Sequence, residues 1–195
     1  LTGDARDGHP VCYNGTNKVS ATKGCVGYNN TGDESEKEHV IGENGICTVC
    51  GTHIISTKEQ LIRFATAVNN GETTASAVLT DDITVNENVL DKDGKLILVT
   101  ESATVWTPIG SEYKAYSGTF DGRGHTISGL YFSDESQYYV GLFGNVEEAG
   151  VISNVNVADS YLRGGRYVGG VCGCNYGTIK AGTNTGTVSG SRYYV

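Results

Sequence analysis

The sequence is poor in positive charge. Its 14 Lys and Arg stand against 22 Asp and Glu, for a net charge of -8. Nucleic acids and anionic membrane surfaces both recruit Lys and Arg, so neither is expected as a partner. No stretch approaches the roughly 18 consecutive apolar residues of a membrane span. Gly-x-Ser-x-Gly, His-Glu-x-x-His and the phosphate-binding loop are absent. That removes the common signatures of serine hydrolases, zinc peptidases and nucleotide hydrolysis. Charged residues make up only 18% of the chain, so Ser, Thr, Asn and Gly must cover most of the surface. Met is missing altogether, and Leu1 is not followed by a signal peptide. Arg192-Tyr193-Tyr194-Val195 reads as the opening of a further repeat. The chain is therefore expected to be an excised piece of a longer protein, with targeting signals elsewhere.

What is present is a repeat. Tyr139-Val140-Gly141-Leu142-Phe143-Gly144 is followed by Gly150-Val151-Ile152-Ser153. Tyr167-Val168-Gly169-Gly170-Val171-Cys172-Gly173 is followed by Gly177-Thr178-Ile179. Gly124-His125-Thr126-Ile127-Ser128-Gly129-Leu130 reads as an earlier copy, aligning Ile127 with Ile152 and Ile179. Val140, Val168 and Val195 recur in the same way. A period of this size signals stacked units, and each unit here has the Val, Ile, Thr, Tyr and Gly content of strands and turns. The expected fold is all-β, a right-handed parallel β-helix. One rung of such a solenoid cannot bury its own apolar residues and needs a neighbour on each side. From Ala77 onward there is room for about five rungs.

Two elements precede the repeats. Residues 55–195 open with an amphipathic helix, because Leu61, Phe64, Ala65 and Val68 share one face. Ser56 with Glu59, or Thr57 with Gln60, has capping-box spacing, and Gly71 is a natural stop. This helix is expected to cap the first rung. Strands are expected next at Ala77–Leu79, Ile83–Val85, Lys95–Val99 and Thr104–Trp106. Residues 1–54 form a separate head with Cys12, Cys25, Cys47, Cys50 and three of the four His. The head lacks apolar periodicity and needs a staple to fold.

Trp106-Thr107-Pro108-Ile109-Gly110 and the run from Gly118 to Leu130 resemble the GLUG-motif β-helix segments of large bacterial surface proteins. Gly141-Leu142-Phe143-Gly144 fits the motif that names them, and Gly170-Val171-Cys172-Gly173 fits with Val for Leu. Such segments occur in adhesin-like proteins and upstream of IgA-protease-type metallopeptidases. The resemblance spans about residues 55–195. It implies an extracellular or cell-surface parent and a non-catalytic stalk, spacer or adhesion surface. The alternatives are a carbohydrate-active β-helix enzyme and an accessory region of a secreted zinc metallopeptidase. His39 to Gly51 resembles small zinc-binding modules of the same class of proteins, although Lys37 stands where those carry a Cys.

A structural zinc needs four tetrahedral nitrogen or sulfur ligands, and Cys-x-x-Cys-Gly forms a knuckle for two of them. His39, Cys47 and Cys50 supply three. Cys25 is the choice for the fourth, ahead of Cys12 and His53. Disulfides among the head Cys are the alternative in a secreted chain. Cys172 and Cys174 alternate along one strand, too far apart for a relaxed disulfide, and are expected as thiols. Asp121, Arg123 and His125 form the densest polar cluster, but Asp121-Gly122 and Gly124 already have turn chemistry. Asp81 and Asp82 are adjacent and point to opposite faces of a strand. No catalytic residue is assigned. Tyr138, Tyr139, Tyr161, Tyr167, Tyr176, Tyr193 and Tyr194 would stack along one side or cover rung edges. An exposed Tyr ladder would suit a host glycan or protein. The fragment alone is expected to be a monomer.

Overall fold

The computed structural model describes residues 41–192, apart from 43, 49 and 99, and the backbone of four strands before them. Those four are β1 (Val11–Asn14), β2 (Asn17–Ser20), β3 (Cys25–Tyr28) and β4 (Glu34–Lys37), paired antiparallel in chain order. The rest of the described chain is mostly β, in parallel sheets, with one α-helix.

After β5 (His53–Ile55) comes α1 (Lys58–Asn70). Of the two capping boxes that the sequence offers, the protein uses Thr57 and Gln60. The Gln60 N–H donates to Thr57 Oγ1 at 3.3 Å, and the Thr57 N–H donates to Gln60 Oε1 at 3.0 Å. Gly71 ends the helix at φ 126°, in the region that favours glycine. Leu61, Phe64, Ala65 and Val68 are all buried, the predicted apolar face.

From here the chain passes through the same stations level after level. The first level holds β6 (Ala77–Leu79) and β7 (Ile83–Thr84). The second holds β8 (Thr119–Asp121), β9 (Thr126–Ser128), β10 (Tyr131–Ser133) and β11 (Phe143–Val146). The third holds β12 (Val151–Ser153), β13 (Asn156–Ala158), β14 (Tyr161–Gly164) and β15 (Cys172–Asn175). The fourth holds β16 (Thr178–Lys180), β17 (Thr183–Asn184) and β18 (Thr187–Gly190). Each strand pairs in parallel with its counterpart, giving the sheets β16-β12-β8-β6-β5, β17-β13-β9-β7, β10-β14-β18 and β11-β15. Parallel bridges of Val105 to Tyr131, Ile109 to Phe143 and Tyr116 to Val146 carry the last two sheets down to the first level. Val140 and Val168, aligned in the sequence, are paired.

Three-residue strands turn one side chain inward and two outward. Phe120, Ile127, Ile152 and Val157 are those inward residues, each fully buried. They join the α1 face in one core, which also holds Trp106, Tyr116 and Phe143. Phe64, Tyr116, Phe120 and Phe143 form an aromatic seam with ring centroids 5.2 to 6.0 Å apart. The two buried polar rings have partners, as burial requires. Tyr116 donates to Ala75 O at 2.9 Å and Trp106 Nε1 to Gly141 O at 3.0 Å. Burial holds the Tyr116 phenol well above its ordinary pKa.

The register corrects one expectation. Ile152 pairs with Ile179, but its partner on the other side is Phe120. Ile127 instead pairs with Val157 and Ile83, one strand further along each level. Of the expected strand at 95–99, the described residues 95–98 form none. Leu96 makes a single antiparallel bridge to Leu90, and Ile97 is exposed. From Ala77 the described chain makes four levels rather than five, with β5 as a further strand beneath them.

Candidate functional site

The head contributes one turn. Ile41 bridges antiparallel to Cys47, and the Gly51 N–H returns to Cys47 O at 2.8 Å with Gly51 at φ 73°. This closes Cys47 and Cys50 into a tight loop. Cys47 is buried against Ile54 and Val78, with Cys50 at the edge of that small cluster. The Cys50 thiol donates to Thr52 Oγ1 at 3.2 Å. Two thiols on one turn are a soft donor pair that suits zinc. Cys25 lies on β3 and Cys12 on β1, where only backbone is described, and His39 lies outside the described residues. The predicted four ligands are thus not seen together. Among the described residues no three Cys, His, Asp or Glu side chains gather around a common point. His53 faces the core, edge-on to Phe64 at 5.2 Å. Burial lowers its pKa, and the Glu72 carboxylate partly offsets that.

Asp121, Arg123 and His125 do not converge. Asp121 Oδ1 accepts from the Arg123 N–H at 3.0 Å and from Asn154 Nδ2 at 3.0 Å. Arg123 itself sits at φ 50°. Asp121 is therefore a turn residue that also ties its corner to the next level. His125 turns instead to Asp82 of the level below, Nδ1 to Oδ1 at 3.2 Å, and Asp82 also accepts the Thr126 N–H at 2.8 Å. Those two hydrogen bonds, the backbone one first, lower the Asp82 pKa. The pair is open to solvent, and no nucleophile adjoins it in the hydrogen bonds made by these residues. Cys172 and Cys174 are thiols, as their spacing predicts. Burial pushes the Cys172 thiol up to about 12, so it is protonated and chemically quiet at neutral pH.

A concavity that no local motif marks stands out among the described residues. It lies between the segment 105–113 of the first level and the segment 131–140 of the second, and encloses about 730 Å³. Its walls carry Trp106, Tyr113, Tyr131, Tyr138 and Tyr139. Two of these Tyr belong to short stacks built by the level repeat. Tyr139 lies on Tyr167 at 4.9 Å and 12°, and Tyr131 on Tyr161 at 6.4 Å and 23°. Of the Tyr expected to stack along one side or cover rung edges, Tyr139 and Tyr167 stack on each other and Tyr161 stacks on Tyr131, while Tyr193 and Tyr194 lie outside the described residues. Tyr138 has the Arg166 and Arg192 guanidiniums 5.9 and 6.0 Å from its ring, and Arg192 Nη1 donates to its hydroxyl at 3.0 Å. Asn69 of α1 fixes the floor, donating to Pro108 O at 2.9 Å and accepting from Gly110 N at 3.0 Å. Two carboxylates, Glu112 and Asp134, complete the lining. Burial, and then the Glu112 charge, raise the Tyr139 pKa. The one available signal was the pairing of adjacent Tyr138-Tyr139 with Trp106 and Tyr113 one level earlier, which is visible only once the levels are aligned.

No family model matches the chain, and no solved structure matches it. Two curated proteins do, each over part of the chain. Halomucin of Haloquadratum walsbyi is 44% identical over 78 residues, 40% of this chain and 1% of that protein. A protein of Evansella cellulosilytica, named as a Gly-rich membrane protein, is 32% identical over 77 residues, 38% of this chain and 9% of that protein. The chain thus spans a small fraction of either relative. No helix among the described residues is long and apolar enough to cross a membrane.

Proposed function

We propose that residues 55–195 form a right-handed parallel β-helix of the GLUG-motif kind, closed at its first level by α1. In this reading the domain is a non-catalytic stalk, spacer or adhesion surface of a large extracellular protein. The observation that carries it is the in-register stacking of like strands. Phe120, Ile152 and Ile179 stand in one column and Ile127 and Val157 in the next, around a single core. Stacked units of this kind extend by repetition and offer long side walls, which suits spanning and display. Relatives named as a mucin and as a membrane protein support a place at the cell surface.

The separation of Asp121 from His125, two members of the densest polar cluster in the sequence, motivates the non-catalytic part. Catalysis needs several groups held within reach of one reacting atom. Asp121 is engaged in its turn and His125 in a solvent-open pair with Asp82. Incubation with polysaccharide, ester and peptide panels should give no product. Turnover that disappears in Asp121→Asn or His125→Ala would contradict the proposal.

The head, residues 1–54, is proposed to be stapled by zinc through Cys25, His39, Cys47 and Cys50. The Cys47–Gly51 turn supports the Cys pair. Four protein ligands would leave no open position, so the metal would be structural. Metal analysis of the purified chain should find about one zinc per molecule. Metal-free protein with all head Cys oxidised would rule this out.

A further inference from the structure

We propose that the cleft between segments 105–113 and 131–140 is a binding site for an uncharged sugar chain. Its volume, about 730 Å³, lies within the roughly 300–1,000 Å³ of small-ligand sites. Its aromatic rings are already immobilised from behind. Tyr131 rests on Tyr161 and Tyr139 on Tyr167, while Tyr138 is held at its hydroxyl by Arg192. Little side-chain freedom remains to be lost when a ligand arrives. A flat ring with a polar tip matches a pyranose, which presents a C–H face and a rim of hydroxyls. Tyr113 stands 89% exposed at the mouth, with its ring open to a ligand.

The polar groups select against charge. Asp134 Oδ1 accepts the Ser136 N–H at 2.9 Å and the Ser136 hydroxyl at 2.7 Å, which orients the carboxylate and keeps it ionised. Its Oδ2 takes no hydrogen bond from the described residues and is left to accept from a ligand hydroxyl. Glu112 adds a second carboxylate, and neither Lys nor Arg lines the cleft. An anionic chain would meet two like charges on a protein of net charge -8. A cationic head group would want several ring faces turned on one point within about 6 Å. Here one side of Tyr131 and of Tyr139 is taken by the neighbouring level, and the Tyr138 ring by guanidiniums, which leaves platforms rather than a cage. A smaller hollow between α1 and residues 104–107 shares Asn69, Val105, Trp106 and Thr107 with the cleft and adjoins it on the helix side. That extension suits a linear chain over a single compact ligand.

Trp106 is the only Trp and lines the cleft, so its fluorescence reports on occupancy. The whole chain is titrated with cellohexaose, xylohexaose, mannohexaose, maltohexaose and chitohexaose, and in separate arms with hexagalacturonate and with choline. At least one neutral oligosaccharide should give a saturable change. Tyr113→Ala should weaken it by roughly tenfold, the loss of one aromatic contact. Tyr176→Ala, exposed but not among the residues that line the cleft, should leave it unchanged. Failure of every neutral oligosaccharide overturns the proposal. So does tighter binding of hexagalacturonate or choline, or equal effects of the two Tyr variants. The proposal rests on the surface-domain reading only for the source of the sugar. Turnover of a bound sugar would sink that reading and leave the site intact.

Discussion

Ile152 is buried between Phe120 on one side and Ile179 on the other, whereas Ile179 is only half-buried. Among the described residues no level covers β16 on its far side, so Ile179 keeps part of its surface in water. Ile152→Ala should cost about 2–5 kcal/mol through lost burial and a cavity, and Ile179→Ala clearly less. Chemical denaturation of both variants measures this, and equal losses would place Ile179 in a closed core. Asn86 shows a different kind of fixing. Its amide donates to Gly129 O at 2.8 Å and Thr104 O at 2.9 Å and accepts from Thr104 N at 2.8 Å. That pins the base of the excursion 86–104 to the next level. Gly129 at φ 78° must be glycine, because a Cβ there would overlap the Asn86 backbone. The residue pattern misled at one place. Thr126-Ile127-Ser128 resembles Val151-Ile152-Ser153, and that likeness aligns Ile127 with Ile152. The second and third levels each hold two such strands with the same outward-inward-outward pattern, so a slip by one strand changes nothing that periodicity can see.

The signals for α1 are local, and they were legible. A hydroxyl three residues before Gln, an apolar face and a terminal Gly sufficed, since none depends on a distant partner. Only the choice between two overlapping boxes stayed open. Gln60 Oε1 settles it by taking the Ser56 N–H, the Ser56 hydroxyl and the Thr57 N–H together. Thr57→Ala should therefore destabilise the protein by about 1 kcal/mol, while Glu59→Ala should do much less. Denaturation midpoints test this, and a larger effect of Glu59→Ala would reverse the assignment. The stretch 95–99 failed for the opposite reason. Its apolar residues suit a strand, but Asp91 Oδ1 captures the Asp93 and Lys95 N–H groups at 2.9 and 2.8 Å. A side chain that folds its own backbone competes with any ladder.

At the scale of the molecule, the repeat could be read because each level restores the same Gly-bounded apolar strands, as with Val140 and Val168. The cleft could not be read in the same way. Trp106 and Tyr113 are near Tyr131 and Tyr138 only because the bridges of Val105 to Tyr131 and of Ile109 to Phe143 lay one level on the next. The proposed zinc ligands also span residues distant in sequence, and only their Cys47–Cys50 turn is a local feature. The core, the cleft and the Tyr stacks all depend on the level-on-level register. Spin labels placed pairwise at Ser153 and Lys180, and at Ser128 and Ala158, test it by dipolar broadening of the EPR spectrum. Both pairs are in-register neighbours on adjacent parallel strands, which run about 4.8 Å apart. Strong broadening in both pairs, and little in the out-of-register pair Ser128 and Lys180, is the predicted result. Narrow, uncoupled spectra from Ser153–Lys180 or Ser128–Ala158 would contradict the stacked architecture.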